Sequence, residues 1–277
     1  MMMDKDKGVK KKSKSGHILI WLIFLEVVIV VAGIGYILLP KEDKELEALL
    51  DQDVSIDYIE ETETEMGNPV PKPEVDEQFL TINEYSRPGD KTDGIKYIVI
   101  HYLANPKTTA QQNHDYFESL KDLQNMSRSA NYVIGLEGEI IQCVPDDEIA
   151  YASNNENHES ISIENCHKDD SGKFTEATYD SLVRLTAYLT EEYGLDRDQI
   201  IRHYDITGKE CPKYYVEHED KWEEFKDDVM NYREQCREEA LAVIAAEKAK
   251  RESEVDLLAV YLESNARDET DSETENQ

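Results

Sequence analysis

Short apolar runs in the middle of the chain predict a series of strands. Ile95 to Tyr102 is almost continuously apolar and predicts a buried strand. Asn131 to Leu136 and Glu139 to Val144 flank Glu137-Gly138, a pair of residues that favours a hairpin turn. Ser160 to Cys166 alternates apolar and polar residues, which is typical of a strand with one face on a cleft.

Helical patterns alternate with these strands. Thr109 or a neighbouring residue is suited to cap a helix over Ala110 to Leu120. Thr175 to Tyr193 places its apolar residues on one helical face and is followed by Gly194, a natural stop. Gln199 to His203 predicts another strand. The alternation indicates an α/β domain with a mixed central β-sheet flanked by helices and a site at the carboxyl ends of the strands.

The hydrophobic pattern changes near the amino terminus. Residues 18–39 are almost uninterruptedly apolar, and a helix of that length would span about 33 Å, enough for a bilayer core. Because lysines precede this stretch, we predict a transmembrane signal-anchor at 17–39, a basic cytoplasmic tail at 1–16 and an extracytoplasmic remainder. The alternative is a cleaved signal peptide, since Val30 and Ala32 suit a cleavage site, although the apolar run continues past them.

Charged residues dominate the segments on either side of the predicted folded domain, which we place at residues 80–232. Residues 40–79 are acidic and contain three closely spaced prolines, which predicts an extended linker. Residues 233–265 are rich in Glu, Ala, Lys and Arg and predict a helical extension, whose protein partner the pattern does not identify. Residues 266–277 predict a disordered acidic tail.

Composition narrows the classes of protein that fit. The 277 residues carry a formal net charge of −31, which excludes a nucleic-acid binder because such a protein needs a basic face. The four cysteines are too few and too scattered for a disulfide framework. Cys143 and Cys166 lie in predicted strands, where they are either neighbours or two buried free thiols. Cys236 is expected on a helix surface and is assigned no role.

The stretch Ile200 to Pro212 concentrates residues that bind metals. His203 closes a predicted strand, and a turn containing Gly208 brings Cys211 back beside it. An imidazole and a thiolate are two of the three ligands of a catalytic zinc site, and His101, at the end of another strand, is the candidate third. Three protein ligands would leave the fourth tetrahedral position for water. Taken singly, each residue has a plainer explanation, as a hydrogen-bonded histidine or an inert cysteine.

Two further residues would complete a hydrolase. Glu164 lies in the alternating strand and could take a proton from water and return it to a leaving amine. Lys209 could place a positive charge beside the oxyanion that develops when water attacks a carbonyl. The alternative for Glu164 is a solvent-facing strand residue with no catalytic role, and the alternative for Lys209 is an exposed residue of the turn.

Four segments of the chain resemble the type-2 N-acetylmuramoyl-L-alanine amidases: KYIVIHYLANP, SANYVIGLEGEIIQCVP, SISIENCH and IRHYDITGKECP. This zinc family includes phage amidase lysozymes and peptidoglycan-recognition proteins, and the resemblance covers about residues 80–230. It implies a mixed sheet flanked by helices, with a zinc ion at the floor of a groove for the glycan-linked stem peptide. It also implies roles for five residues, zinc binding by His101, His203 and Cys211 and catalytic assistance by Glu164 and Lys209.

The resemblance implies a cell-wall enzyme that hydrolyses the amide between N-acetylmuramic acid and L-alanine of peptidoglycan, and the apolar stretch at 18–39 adds the expectation that this enzyme is membrane-anchored. Tyr102, Asn105 and Asn131 are expected to line the substrate groove. Many members of the family have a histidine where this chain has Asn131, a departure that concerns the groove and not the metal. The alternative is a non-catalytic peptidoglycan receptor of the same fold. Because binding-only members commonly lack the cysteine ligand, the presence of Cys211 favours the enzyme.

Overall fold

The computed structural model describes residues 67–274, and six strands in this range form one mixed sheet. The order across the sheet is β1-β4-β3-β5-β2-β6. β3 and β4 form the expected antiparallel hairpin, and all other neighbouring pairs are parallel. The strands are β1 (Asp76–Glu77), β2 (Tyr97–Tyr102), β3 (Tyr132–Ile134), β4 (Ile140–Gln142), β5 (Ser160–Asn165) and β6 (Ile200–Arg202).

Five α-helices and two short 3-10 helices accompany the sheet within the same range. The α-helices are α1 (Ala110–Leu123), α2 (Glu176–Glu192), α3 (His203–Thr207), α4 (Lys213–Glu217) and α5 (Glu219–Thr274). The 3-10 helices are Asn154–His158 and Arg197–Gln199. The Thr109 hydroxyl caps α1 by accepting from the Gln112 N–H, and Thr175 caps α2 in the same manner. The predicted α/β arrangement of a mixed sheet flanked by helices is confirmed.

Side chains alternate across the strands and give the sheet two buried faces. One face carries isoleucines of β2 and β5 and packs against α2 and the first turns of α5, through Leu182, Leu189, Trp222, Phe225 and Val229. The opposite face carries Val133 and Ile141 and packs against α1 through Ala110 and Phe117. Residues at the alternate positions of β2 and β5, His101 and Glu164 among them, therefore point away from the isoleucine core.

The long helix α5 begins at Glu219, inside the predicted folded domain, and continues through the helical extension predicted at 233–265. No glycine or proline lies between residues 219 and 274, so nothing in that stretch breaks the helix, which continues into the segment predicted as a disordered tail. Arg233 and Arg237 both pair with Glu191 of α2, and Arg197 pairs with Asp227 of α5 at 2.7 Å. These ion pairs fix the amino-terminal part of α5 on the domain.

The expectation that Cys236 lies on a helix surface is wrong. It is buried in the main core instead of lying on the helix surface. Val229 and Tyr232 precede it at spacings of seven and four residues, so the three side chains share the face of α5 that packs on the domain. All four cysteines are free, including Cys143 and Cys166, which belong to the same core cluster on the α1 side.

The folded domain begins earlier than residue 80, so the linker predicted at 40–79 is wrong at its carboxyl end. Val70 is buried in the core, and the Asn68 amide donates to the Tyr188 carbonyl at 3.1 Å. β1 follows and pairs in parallel with β4. Both residues of β1 are exposed acids held by backbone hydrogen bonds, so this strand has no apolar pattern to reveal it.

The stretches predicted as a basic tail at 1–16 and an anchor at 17–39, and most of the predicted linker, lie outside the described residues. Within residues 67–274, no helix combines the length and apolarity needed to cross a bilayer.

Candidate metal centre

Strand register brings three of the predicted site residues to one edge of the sheet. His101 of β2 is the direct partner of Glu164 in the parallel strand β5. On the other side of β2, Ile100 pairs with Arg202 of β6. His203 follows Arg202 as His101 follows Ile100, so the two histidines lie on the same face of the sheet. Because all three strands are parallel, their carboxyl ends meet at the same edge. The side chains of His101, Glu164 and His203 therefore converge.

A tight turn brings Cys211 back to this edge. Gly208 ends α3 in a left-handed conformation (φ 76°), which glycine adopts without steric cost, and its N–H donates to the Tyr204 carbonyl at 2.7 Å. The Tyr204 N–H in turn donates to the Cys211 carbonyl at 2.9 Å. The turn is anchored by Arg202, whose buried guanidinium pairs with Asp205 at 2.8 Å.

The nitrogen and sulfur atoms of His101, His203 and Cys211 lie within 4.8 Å of one another. Cys211 Sγ is 3.8 Å from His101 Nδ1, and all three residues are buried. Bond lengths of 2.0 to 2.3 Å place the ligand atoms of a tetrahedral zinc about 3.5 Å apart. The donor set, two imidazoles and one thiol, fits a zinc ion with one position left open, and the 3.8 Å contact between Cys211 and His101 is close to the required spacing.

Hydrogen bonds show which nitrogen each imidazole presents to the centre. His101 Nε2 lies 3.2 Å from Ser153 Oγ, and His203 Nε2 lies 2.8 Å from Asn154 Oδ1. His203 Nδ1 is buried and has no hydrogen-bond partner among the described residues. A buried polar atom without a partner costs free energy, and a metal ion at the centre would satisfy this nitrogen. Both rings therefore turn Nδ1 towards the common point.

The ionisation of the ligands follows from their burial. Burial lowers the pKa of His101 well below its ordinary value, assisted by the charges of His203 and Lys209. Burial and Lys209 lower the pKa of His203 to about 4, and burial raises the pKa of the Cys211 thiol to about 12. Neutral imidazoles are the form that binds metals, whereas the thiol must lose its proton, so metal binding here would release a proton.

Glu164 lies beside this centre as a carboxyl group with an unsatisfied oxygen. Its Oε2 is shielded from solvent and has no hydrogen-bond partner within residues 67–274. Burial raises the pKa of Glu164 to about 7, against the opposing positive charges of Lys209 and Arg128. A carboxyl group that titrates near neutral pH can both accept and donate a proton under ordinary conditions.

The centre forms part of the wall of a cavity of about 420 Å³. His101, His203, Glu164 and Lys209 line this cavity, together with Arg128, Tyr151 and Asn154 among others. Lys209 is exposed on the turn between α3 and Cys211, so its ammonium group can approach a bound ligand. The cavity thus combines two of the three candidate metal ligands with a carboxyl group and a cation.

The structure tests the three predicted groove residues individually. Tyr102 lies on the cavity wall, whereas Asn105 is exposed in the loop after β2 and does not line the cavity. Asn131 is fully buried, and its Oδ1 accepts from the Ser162 N–H at 2.9 Å while its Nδ2 donates to the Pro145 carbonyl at 3.1 Å. The full burial of Asn131 leaves it no surface for a ligand, so its predicted groove role does not fit the structure, whereas the role of Asn105 stays a prediction.

Comparison with known proteins agrees with this arrangement. Residues 90–214 match the family model described as N-acetylmuramoyl-L-alanine amidase. The chain is 35% identical over 151 residues to the N-acetylmuramoyl-L-alanine amidase CwlL of Bacillus licheniformis, covering 50% of this chain and 41% of that protein. It is 33% identical over 172 residues to the N-acetylmuramoyl-L-alanine amidase BlyA of Bacillus subtilis (strain 168), covering 54% and 45%. The matched region thus spans less than half the length of either relative.

Among solved structures, the solution structure of the PlyG catalytic domain shares the fold, with a TM-score of 0.50 at 23% identity. The match covers 58% of this chain and 96% of that domain. Residues 90–214 thus form a domain that matches the N-acetylmuramoyl-L-alanine amidase family model. The three candidate metal ligands, Glu164 and Lys209 all lie within that domain.

Proposed function

We propose that this protein hydrolyses the amide bond between N-acetylmuramic acid and L-alanine of peptidoglycan with the help of a zinc ion. One observation carries the proposal. The ligand atoms of His101, His203 and Cys211 lie within 4.8 Å of one another in an amidase-family domain. Both histidines line one cavity with Glu164, whose Oε2 has no hydrogen-bond partner among the described residues. A receptor that only binds peptidoglycan needs neither the triad nor a shielded carboxyl group.

The triad would hold zinc through the Nδ1 atoms of His101 and His203 and the Sγ atom of Cys211. A zinc ion bound there supplies Lewis acidity towards water and towards a carbonyl oxygen. The buried surroundings of the triad keep both imidazoles neutral and therefore available as ligands.

Glu164 and Lys209 perform the proton transfer and the charge stabilisation. Glu164 Oε2 accepts a proton from the attacking water and then delivers it to the nitrogen of the departing L-alanine amine. Since burial raises the pKa of Glu164 to about 7, the carboxyl group can serve in both directions near neutral pH. Lys209, at the rim of the same cavity, places its positive charge where the amide oxygen becomes negative.

Digestion of purified peptidoglycan tests the proposal directly. The wild-type protein is expected to release new amino-terminal L-alanine without producing new reducing sugar ends, since the broken bond is an amide. Removing zinc with a chelator should stop the release, and returning zinc should restore it. A protein that carries stoichiometric zinc and binds the wall, yet releases no amine, would identify the receptor alternative instead.

Substitution of Lys209 tests the charge-stabilising role. Lys209→Gln is expected to lower kcat about 100-fold with little change in zinc content, because one group that stabilises the developing oxyanion is lost. The measurement is the steady-state rate on a soluble muropeptide. Lys213→Gln is the matched control, since Lys213 is a nearby lysine paired with Glu217 at 2.6 Å and outside the cavity lining. Equal rates for Lys209→Gln and the wild type would contradict the role.

We also propose that the enzyme is a single-pass membrane protein whose catalytic domain is extracytoplasmic. The support is the apolar stretch at 18–39, which follows the basic residues of 1–16. The full chain should sediment with membranes, and a variant lacking residues 1–39 should be released while it still cleaves peptidoglycan. Recovery of the full chain entirely in the soluble fraction would refute the anchor.

A further inference from the structure

Two consecutive residues of one loop contact both candidate histidine ligands. Ser153 Oγ lies 3.2 Å from Nε2 of His101, and Asn154 Oδ1 lies 2.8 Å from Nε2 of His203. The two histidines come from different strands, 102 positions apart in the sequence. Two adjacent residues of the connection between β4 and β5 therefore contact the far side of each imidazole ring.

The loop is held in a defined shape. Asn157 Oδ1 accepts from the backbone N–H groups of Ala152 and Ser153 at 3.2 and 2.6 Å. Asn154 begins the 3-10 helix in the left-handed region, with φ 52°, which asparagine tolerates better than most residues other than glycine. The geometry of this turn thus aims the side chains of two adjacent residues at two different rings.

We propose that Ser153 and Asn154 are positioning residues that fix the tautomer and the orientation of both zinc-binding histidines. The inference rests on the proposed zinc site. An amide oxygen can only accept a hydrogen bond, so Asn154 Oδ1 requires that His203 Nε2 carry the proton. Nδ1 then keeps its lone pair, and this is the buried nitrogen that has no partner in the described structure. Ser153, whose hydroxyl can accept, holds His101 in the same way, with Nδ1 facing Cys211 Sγ.

Holding the outer nitrogen of a ligand histidine typically contributes 10- to 100-fold in metal affinity. The proposal therefore predicts an effect on zinc binding itself, independent of turnover. Asn154→Gly is the most informative variant, because glycine adopts the positive φ of this position without strain while the amide acceptor is lost. We expect it to weaken zinc binding about 10- to 100-fold, and Ser153→Ala to weaken it about 10-fold.

The affinity is measured on the full chain by competition with a chromophoric chelator, and the ligand geometry by the absorption spectrum of the cobalt-substituted protein. Asn154→Asp keeps an acceptor oxygen and is expected to retain zinc affinity and the wild-type cobalt spectrum. Asn155→Ala is the matched control, since this exposed neighbour has no hydrogen bond to either ring in the described structure and should bind zinc like the wild type. Loss in Asn154→Gly with rescue in Asn154→Asp supports the proposal.

Three other outcomes would overturn the proposal that Ser153 and Asn154 position the two histidines. Wild-type zinc affinity in both Asn154→Gly and Ser153→Ala would show that the contacts do not position the ligands. An equal loss in Asn155→Ala would indicate a general role of the loop. A wild-type protein that binds no zinc would remove the premise of the inference. A protein that shows the expected zinc affinities but fails to cleave peptidoglycan would reject the proposed function while leaving this inference standing.

Discussion

Cys211→Ala is expected to remove the bound zinc and to lower kcat/KM on peptidoglycan at least about 1,000-fold, because the catalytic metal would lose one of its three protein ligands. Cys211 Sγ lies 3.8 Å from His101 Nδ1, and the residue is only 2% exposed, so no other part of the turn can take its place without rearrangement. The measurement is metal content by elemental analysis, together with release of amino-terminal L-alanine from purified wall.

The variant should still fold. Truncation of a buried cysteine to alanine removes one heavy atom and costs about 1 kcal/mol of stability from the small cavity that remains. Cys143→Ala is the matched control, because Cys143 is also a free, fully buried cysteine but belongs to the core cluster on the α1 side. It should keep wild-type zinc content and turnover. Retention of zinc and activity in Cys211→Ala, or equal losses in the two variants, would refute the ligand assignment.

The strands that carry the site could be predicted from the sequence because each of them contains a run of buried apolar residues. The isoleucines of β2 and β5 mark those strands, and the polar residues that interrupt or end the runs, His101 and Glu164, are conspicuous for that reason. Parallel pairing then places these side chains on one face without further information. Cys211 could be added because a glycine turn separates it from His203 by only a few residues.

Features that depend on three-dimensional contact alone could not be predicted. β1 consists of two exposed acids and has no hydrophobic period, so only its backbone pairing with β4 identifies it. Ser153 and Asn154 lie in a polar loop without periodicity, and their contacts join positions about 50 residues apart in the chain. Asn131 is predicted to line the groove because it is a polar residue beside a predicted cleft. Its side chain is instead buried and hydrogen-bonds to the backbone of neighbouring segments, which the sequence does not distinguish from a groove position.

Glu164→Gln is expected to lower kcat about 100- to 10,000-fold while leaving zinc bound, because glutamine is similar in size but cannot accept and return a proton. The zinc ligands do not include Glu164, so metal content should stay at the wild-type level. Glu159→Gln is the matched control, since Glu159 lies just before β5 and pairs with Lys96 at 2.6 Å, outside the cavity lining. A Glu164→Gln enzyme with undiminished kcat would rule out this carboxyl group as the proton carrier.

The same substitution is expected to stabilise the metal-free fold, and the sign follows from the direction of the pKa shift. Burial raises the pKa of Glu164 from 4.5 to about 7, so the fold disfavours the ionised carboxylate. The resulting cost is absent well below pH 4.5, grows as the pH rises, and is complete above pH 7 at about 3 kcal/mol. Glutamine carries no charge and avoids this cost.

Urea unfolding in the presence of a chelator measures the difference, since no bound cation then favours the carboxylate. The free energy of unfolding of Glu164→Gln should exceed that of the wild type by a margin that widens by about 2 to 3 kcal/mol between pH 5 and pH 8. A solvent-facing glutamate would show neither the stability gain nor the loss of rate. Because a shielded carboxylate is retained at a cost in stability, a variant that becomes more stable and less active would show that Glu164 is kept for chemistry. A margin that does not change with pH would instead place Glu164 in contact with solvent.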